Sequence, residues 1–124
     1  MHCTGVDIIE ITRIEQAINR WGKRFLRRIY TEPESRLCRE KPRALAVRFA
    51  GKEAVMKALG TGTTGIGWKE IEILAEPSGQ PRVQLYGKAQ DKADELGLDG
   101  LAISLSHSQE YAVAFVVGET KKDV

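Results

Sequence analysis

The sequence predicts an α+β fold, an antiparallel sheet of hairpins packed against helices. Two observations carry this. Helical periodicity fills most of the first half of the 124 residues, and two turn-punctuated pairs of alternating segments occupy the second. A strand precedes them: Val6, Ile8, Ile9 and Ile11 make Gly5 to Ile11 apolar except at Asp7 and Glu10.

The elements follow in order. Thr12 can cap a helix, with Glu15 three residues on completing a capping box. Ile14, Ile18, Trp21, Phe25 and Ile29 then form one helical face. Gly22, which costs about 1 kcal/mol relative to alanine, marks a break. Thr31-Glu32-Pro33-Glu34 starts a short second helix reaching Glu40. Pro42 suits the first turn of a third, which runs to Leu59 and stops at Gly60. Thr61 to Gly67 is a glycine- and threonine-rich loop. Trp68 to Ala75 and Arg82 to Tyr86 are strands joined by the turn Pro77-Ser78-Gly79-Gln80. Gly87 to Leu96 is a helix packing through Ala89, Ala93 and Leu96. Leu101 to Ser106 and Tyr111 to Val117 form a second hairpin around His107 to Glu110. One domain is expected over 1–118, followed by a polar, frayed tail over 119–124.

Composition narrows the function. The hydrophobic fraction is 42% and the charged fraction 29%, as in an ordinary globular domain. No apolar run approaches the roughly 18 residues that span a bilayer. The start of the chain lacks the pattern of an export signal, so a cytoplasmic protein with no membrane partner is expected. Cys3 and Cys38 are too few for a disulfide framework or a four-ligand zinc site and read as reduced thiols. A net charge of +2 is too small to imply nucleic-acid binding. Its distribution says more: between Ile11 and Tyr30, Arg13, Arg20, Lys23, Arg24, Arg27 and Arg28 face Glu15 alone. Such a local field attracts a polyanion or an acidic protein.

Asp7 interrupts an apolar strand. A buried carboxylate is costly unless paired or bound to metal, although a strand-end aspartate can also reach solvent. In the third helix Leu45, Phe49, Met56 and Leu59 share a face, with Lys52 in the stripe and Arg48 beside it. Glu53 and Lys57 lie one turn apart on a neighbouring face, flanked by the small Ala46 and Ala50, which leave room for a ligand. The plainer alternatives are an exposed Glu53–Lys57 ion pair and snorkelling stems for Lys52 and Arg48. Asp7 and Glu53 together suggest a hard-cation site, since magnesium takes one or two carboxylates with waters and phosphates. Lys57 would meet the same phosphates. The loop from Gly60 to Gly65 lacks a P-loop ending and follows a helix, so it reads as a flexible C-cap. His107 between Ser106 and Ser108 is a turn residue or a hydrogen-bond donor to phosphate.

These pieces, in order, resemble holo-[acyl-carrier-protein] synthase, the small single-domain class of 4'-phosphopantetheinyl transferases. The carrying motifs are Gly5-Val6-Asp7 running to Ile11, then Arg13-Ile14; Arg48 to Gly62 with Lys52-Glu53-Ala54, Lys57 and Gly60-Thr61-Gly62; Trp68 to Ile73; Gly79-Gln80-Pro81; and Ser104 to Ser108 with Glu110-Tyr111-Ala112. Gly51 stands where alanine is common. The resemblance implies that fold and a magnesium-dependent reaction. Phosphopantetheine passes from coenzyme A to a serine of an apo carrier protein, releasing adenosine 3',5'-bisphosphate. It implies Asp7 and Glu53 as metal ligands and catalytic residues with Lys57. It implies Arg48, Lys52, Lys57, Gly60, Gly62, Ser106 and His107 at or near the coenzyme. It also implies Arg13, Arg20, Arg24 and Phe25 as docking residues for the acidic carrier, and a homotrimer with sites between protomers. Glu53, Glu10 and water all stay open as the base. A non-catalytic module for acidic proteins and a metal-dependent phosphohydrolase are the competing readings.

Overall fold

The computed structural model describes residues 1–121. Strand β1 (His2–Glu10) leads into helix α1 (Ile11–Trp21), α2 (Lys23–Ile29), α3 (Glu32–Cys38) and the long α4 (Pro42–Leu59). A single 3-10 turn at Trp68–Glu70 opens strand β2 (Ile71–Ala75), which pairs with β3 (Pro81–Leu85). Helix α5 (Gly87–Glu95) and the hairpin of β4 (Leu98–His107) and β5 (Tyr111–Thr120) complete the chain. β1, β5 and β4 form one antiparallel sheet in that order, and β2 with β3 a second.

Alternation divides β1. Gly5 and Ile9 are buried against α4, whereas Val6 and Ile8 stand 54% and 63% exposed on the other face. β5 does the same, burying Ala112, Ala114 and Val116 and exposing Tyr111 and Phe115. The first hairpin expected from the alternating pattern therefore exists, with Trp68–Glu70 coiled into a turn instead of extended.

Helix α1 starts one residue before the expected cap. Ile11 is buried, and its N–H donates to the Glu110 carbonyl at 2.8 Å. The hairpin turn thus supplies an acceptor for one of the first-turn amides that have no partner within the helix. Glu10 takes the cap position without a side-chain bond, and Thr12 lies inside the first turn. The capping box forms instead at α3: Glu34 N–H donates to Thr31 Oγ1 at 3.3 Å, and Thr31 N–H to Glu34 Oε1 at 2.8 Å. The break at Gly22 is present, with φ of 57° between α1 and α2.

α4 is buried on more than its predicted stripe. Ala46, Ala50, Ala54 and Ala58 are buried as well as Leu45, Met56 and Leu59. The small residues that suggested room for a ligand instead admit the sheet. A Cβ at Gly5 would fall 1.9 Å from the Ala54 carbonyl oxygen, so the strand meets the helix backbone itself. Gly51 likewise lets the Ile73, Ile103 and Leu105 side chains close over α4. Of the tail expected over 119–124, Glu119 and Thr120 belong to β5, where Glu119 pairs with His2 and Thr120 with Leu98. Residues 122–124 lie outside the described residues.

Candidate active site

The contact between β1 and α4 brings two carboxylates to one place. Asp7 is mid-strand on the α4 side, its side chain only 11% exposed, so it is not a strand-end residue reaching solvent. Glu53 sits beside Ala54, the residue against which Gly5 packs. Asp7 and Glu53 line one cavity of about 300 Å³ with Arg13, Ile14, Phe25 and Phe49. Burial first, and then the charge of Asp7, raises the Glu53 carboxyl above its usual range; Lys57 and Arg13 pull it back. Lys57 pairs with Asp7, not with Glu53 one turn away. Its Nζ donates to Asp7 Oδ1 at 3.0 Å and to the Val6 carbonyl at 2.9 Å, bridging helix and strand while half-exposed.

These two carboxylates fit a hard cation. They share a cavity, and the charge of Asp7 disfavours ionisation of Glu53, a conflict that a cation relieves. No third Asp, Glu, His or Cys joins them among the described residues. That leaves the remaining positions to water and phosphate oxygens, the donor set suited to magnesium.

The other expected contacts divide. Arg13 reaches the carboxylate cavity. Arg24 and Phe25 line a neighbouring cavity of about 500 Å³ with Trp21, Arg28, Phe49 and Trp68. Arg20 stacks its guanidinium 4.9 Å from the Trp21 ring centroid. Arg48 and His107 share a separate cleft of about 600 Å³ with Lys41 and Arg43, and within one chain this cleft shares no lining residue with the carboxylate cavity. Arg48 Nε also donates to the Ile73 carbonyl at 3.1 Å. Ser106 is exposed in β4 opposite Val113, on the outer face of the sheet. Gly60 (φ 76°) and Gly62 (φ 58°) shape the turn leaving α4 and do not line the carboxylate cavity. Glu10, a candidate base, is exposed at the end of β1 and lines no part of that cavity.

Lys52 is not the edge residue with a snorkelling stem that the sequence allowed: its side chain is 0% exposed and its ammonium is turned to acceptors inside the protein. The Nζ bonds Glu34 Oε1 at 2.7 Å, the Trp68 carbonyl at 3.0 Å and the Ile71 carbonyl. Three donors meet three acceptors, so the buried charge is fully paired. Sequence reasoning also missed Glu34, which is equally buried. The signal for it was the capping-box spacing from Thr31 together with a lysine inside an apolar stripe that needed a partner. Phe25, Phe49 and Trp68 form a second unforeseen feature. Phe49 stacks on Trp68 with centroids 4.8 Å apart and on Phe25 at 6.4 Å.

Residues 3–116 match the family model of the 4'-phosphopantetheinyl transferase superfamily. The chain is 51% identical to the holo-[acyl-carrier-protein] synthase of Herpetosiphon aurantiacus, over 95% of this chain and 98% of that relative. The Helicobacter pylori holo-[acyl-carrier-protein] synthase in complex with coenzyme A is similar at TM-score 0.86 and 34% identity, covering 94% of this chain and 99% of that one. The Bacillus anthracis enzyme in complex with coenzyme A (3',5'-ADP) is similar at TM-score 0.78 and 33% identity, covering 96% of both chains.

Proposed function

The chain belongs to the holo-[acyl-carrier-protein] synthases of the 4'-phosphopantetheinyl transferase superfamily, and from that premise we propose how its residues carry the reaction. The enzyme transfers the 4'-phosphopantetheine group of coenzyme A to an apo acyl carrier protein. The observation that carries the residue assignment is the meeting of Asp7, Glu53 and Lys57 where β1 touches α4.

Asp7 and Glu53 would hold a magnesium ion, which when bound would supply positive charge to the donor pyrophosphate. Lys57 turns its half-exposed ammonium to the donor phosphates and supports charge on the leaving side. The carrier serine oxygen attacks the β-phosphorus and its proton passes to Glu53 or to water; the bond from that phosphorus to the bridging oxygen breaks, and adenosine 3',5'-bisphosphate leaves with the bridging oxygen. The carrier docks on α1 and α2, where Arg13, Arg20, Arg24 and Phe25 join a basic run to an apolar cavity. No helix among the described residues is long and apolar enough to cross a membrane. The working compartment is the cytoplasm, where Cys3 and Cys38 stay thiols.

The site is completed in a homotrimer. Arg48 and His107 lie in a cleft separate from the carboxylates, so they serve a neighbour's donor. The outer sheet face supplies the contact: Val6 pairs with Phe115 and Ile8 with Val113, and Val6, Ile8 and Phe115 are largely exposed. Phe115→Lys is therefore expected to give monomers by sedimentation and to lower transfer at least tenfold. Monomers with full activity would overturn the shared-site reading.

Intact-mass measurement of an apo carrier protein incubated with the chain, coenzyme A and magnesium tests the function. The expected result is a mass gain of one phosphopantetheine group, abolished by chelator and by Asp7→Ala. Release of phosphopantetheine without acceptor would favour the phosphohydrolase reading. Carrier binding indifferent to coenzyme A and magnesium, with no product, would favour the binding module.

A further inference from the structure

The two charges buried most completely among the described residues, Glu34 and Lys52, form no side-chain hydrogen bond to Asp7, Glu53 or Lys57. Their connections show what they hold. Glu34 accepts from Lys52, from Thr31 N–H and, at 2.7 Å, from Ile73 N–H. Lys52 donates onward to the carbonyls of Trp68 and Ile71. Thr31 Oγ1 donates to Glu72 at 2.6 Å, and Tyr86 Oη to the same carboxylate at 3.0 Å. One buried ion pair thus ties α3, α4, the turn at Trp68 and strand β2 into a single unit.

The turn matters because of where Trp68 points. Its ring backs Phe49, Phe49 stacks on Phe25, and Phe25 and Phe49 line both the carboxylate cavity and the cavity beside Arg24. Two of these aromatics sit on segments bonded to Lys52 or adjacent to it: Phe49 one turn before it on α4, and Trp68 through its own carbonyl. α4 itself is fixed independently by its contact with β1 at Gly5. A change at Lys52 therefore acts on the Trp68 turn, and through the Trp68 ring on the rings of Phe49 and Phe25, while the α4 backbone keeps Glu53 in place.

We infer that Lys52, paired with Glu34, is a positioning residue that sets the Trp68–Phe49–Phe25 wall and through it the surface offered to the carrier protein. The inference rests on the transferase reading of the site.

The test is Lys52→Gln in a Trp21→Phe background, which leaves Trp68 as the reporting indole. Relative to Trp21→Phe alone, which itself alters the docking cavity, the expected result is a shifted Trp68 emission and a KM for the carrier protein raised about tenfold. KM for coenzyme A and the affinity for Mn2+, read by electron paramagnetic resonance, should stay within about twofold. A merely structural role gives a different pattern: fewer folded molecules lower apparent kcat and leave KM unchanged. Because Lys52→Gln leaves Glu34 without its cation and the fold can fail, Lys52→Arg is measured beside it. Arg keeps the charge and the donors, but its longer, planar head displaces the Trp68 carbonyl. An unchanged carrier KM in the folded variant, or equal rises for both substrates, would overturn the inference. Absence of transfer by the parent protein would instead overturn the reading beneath it.

Discussion

Glu53→Gln is expected to lower kcat/KM for transfer on the order of a thousandfold, the scale lost when a preorganised electrostatic partner of a phosphoryl transfer is removed. The side chain keeps its size and its place in α4, so the fold should not suffer. It should gain slightly. Burial and Asp7 raise the carboxyl of Glu53, which means the folded chain holds that proton more tightly than the unfolded chain does. The ionised group therefore costs stability, and the cost grows as pH rises from the ordinary carboxylate range through the raised value. Glutamine removes it. Without magnesium, the melting temperature of Glu53→Gln at neutral pH should equal or exceed that of the parent. Titration calorimetry should show magnesium binding weakened together with the rate. In the parent, magnesium affinity should begin to fall on acidification at a higher pH than an ordinary carboxylate would give. A variant that keeps both its rate and its magnesium dependence would remove Glu53 from the mechanism.

Much of this site was legible before folding because its residues break local rules. Asp7 in an apolar strand and a glutamate–lysine pair beside an apolar stripe are departures that local chemistry leaves unexplained, and the structure brings all three together. What could not be read was the identity of partners across elements. The i,i+4 spacing suggested that Lys57 pairs with Glu53, but the strand delivers Asp7 and a free carbonyl to the same ammonium. Lys52 looked like an edge residue, because a sequence shows one buried charge and not the second, 18 positions earlier, that neutralises it. The Thr12 cap failed for a related reason: the acceptor for the Ile11 amide comes from Glu110, nearly a chain length away. Periodicity fixes faces, whereas long-range contacts decide which faces meet.

Gly5→Ala is the substitution expected to damage fold and site together. The new Cβ would lie 1.9 Å from the Ala54 carbonyl oxygen and 2.9 Å from the Ala58 nitrogen. Both are helix backbone, so no side chain can turn aside, and α4 must retreat from β1 by about an ångström. Overpacking of this kind costs about 3 kcal/mol, which for a chain of this size lowers the melting temperature by roughly 10 °C. The same retreat separates Asp7 from Glu53 and strains the bonds from Lys57 to Val6 and Asp7. A 1 Å misplacement of reacting groups can cost about a hundredfold in rate, so the molecules that remain folded should also be slow. Gly51→Ala, in the same helix, is the control. Its Cβ would come 2.5 Å from Ile73 Cδ1 and 3.3 Å from Ile103 Cδ1, side-chain tips that can give by a small shift where helix backbone cannot. Alanine there also returns about 1 kcal/mol of helix propensity. Calorimetry and transfer rates should find Gly51→Ala close to the parent in both respects. If Gly5→Ala is equally mild, the tight strand–helix contact is not what holds the two carboxylates in register.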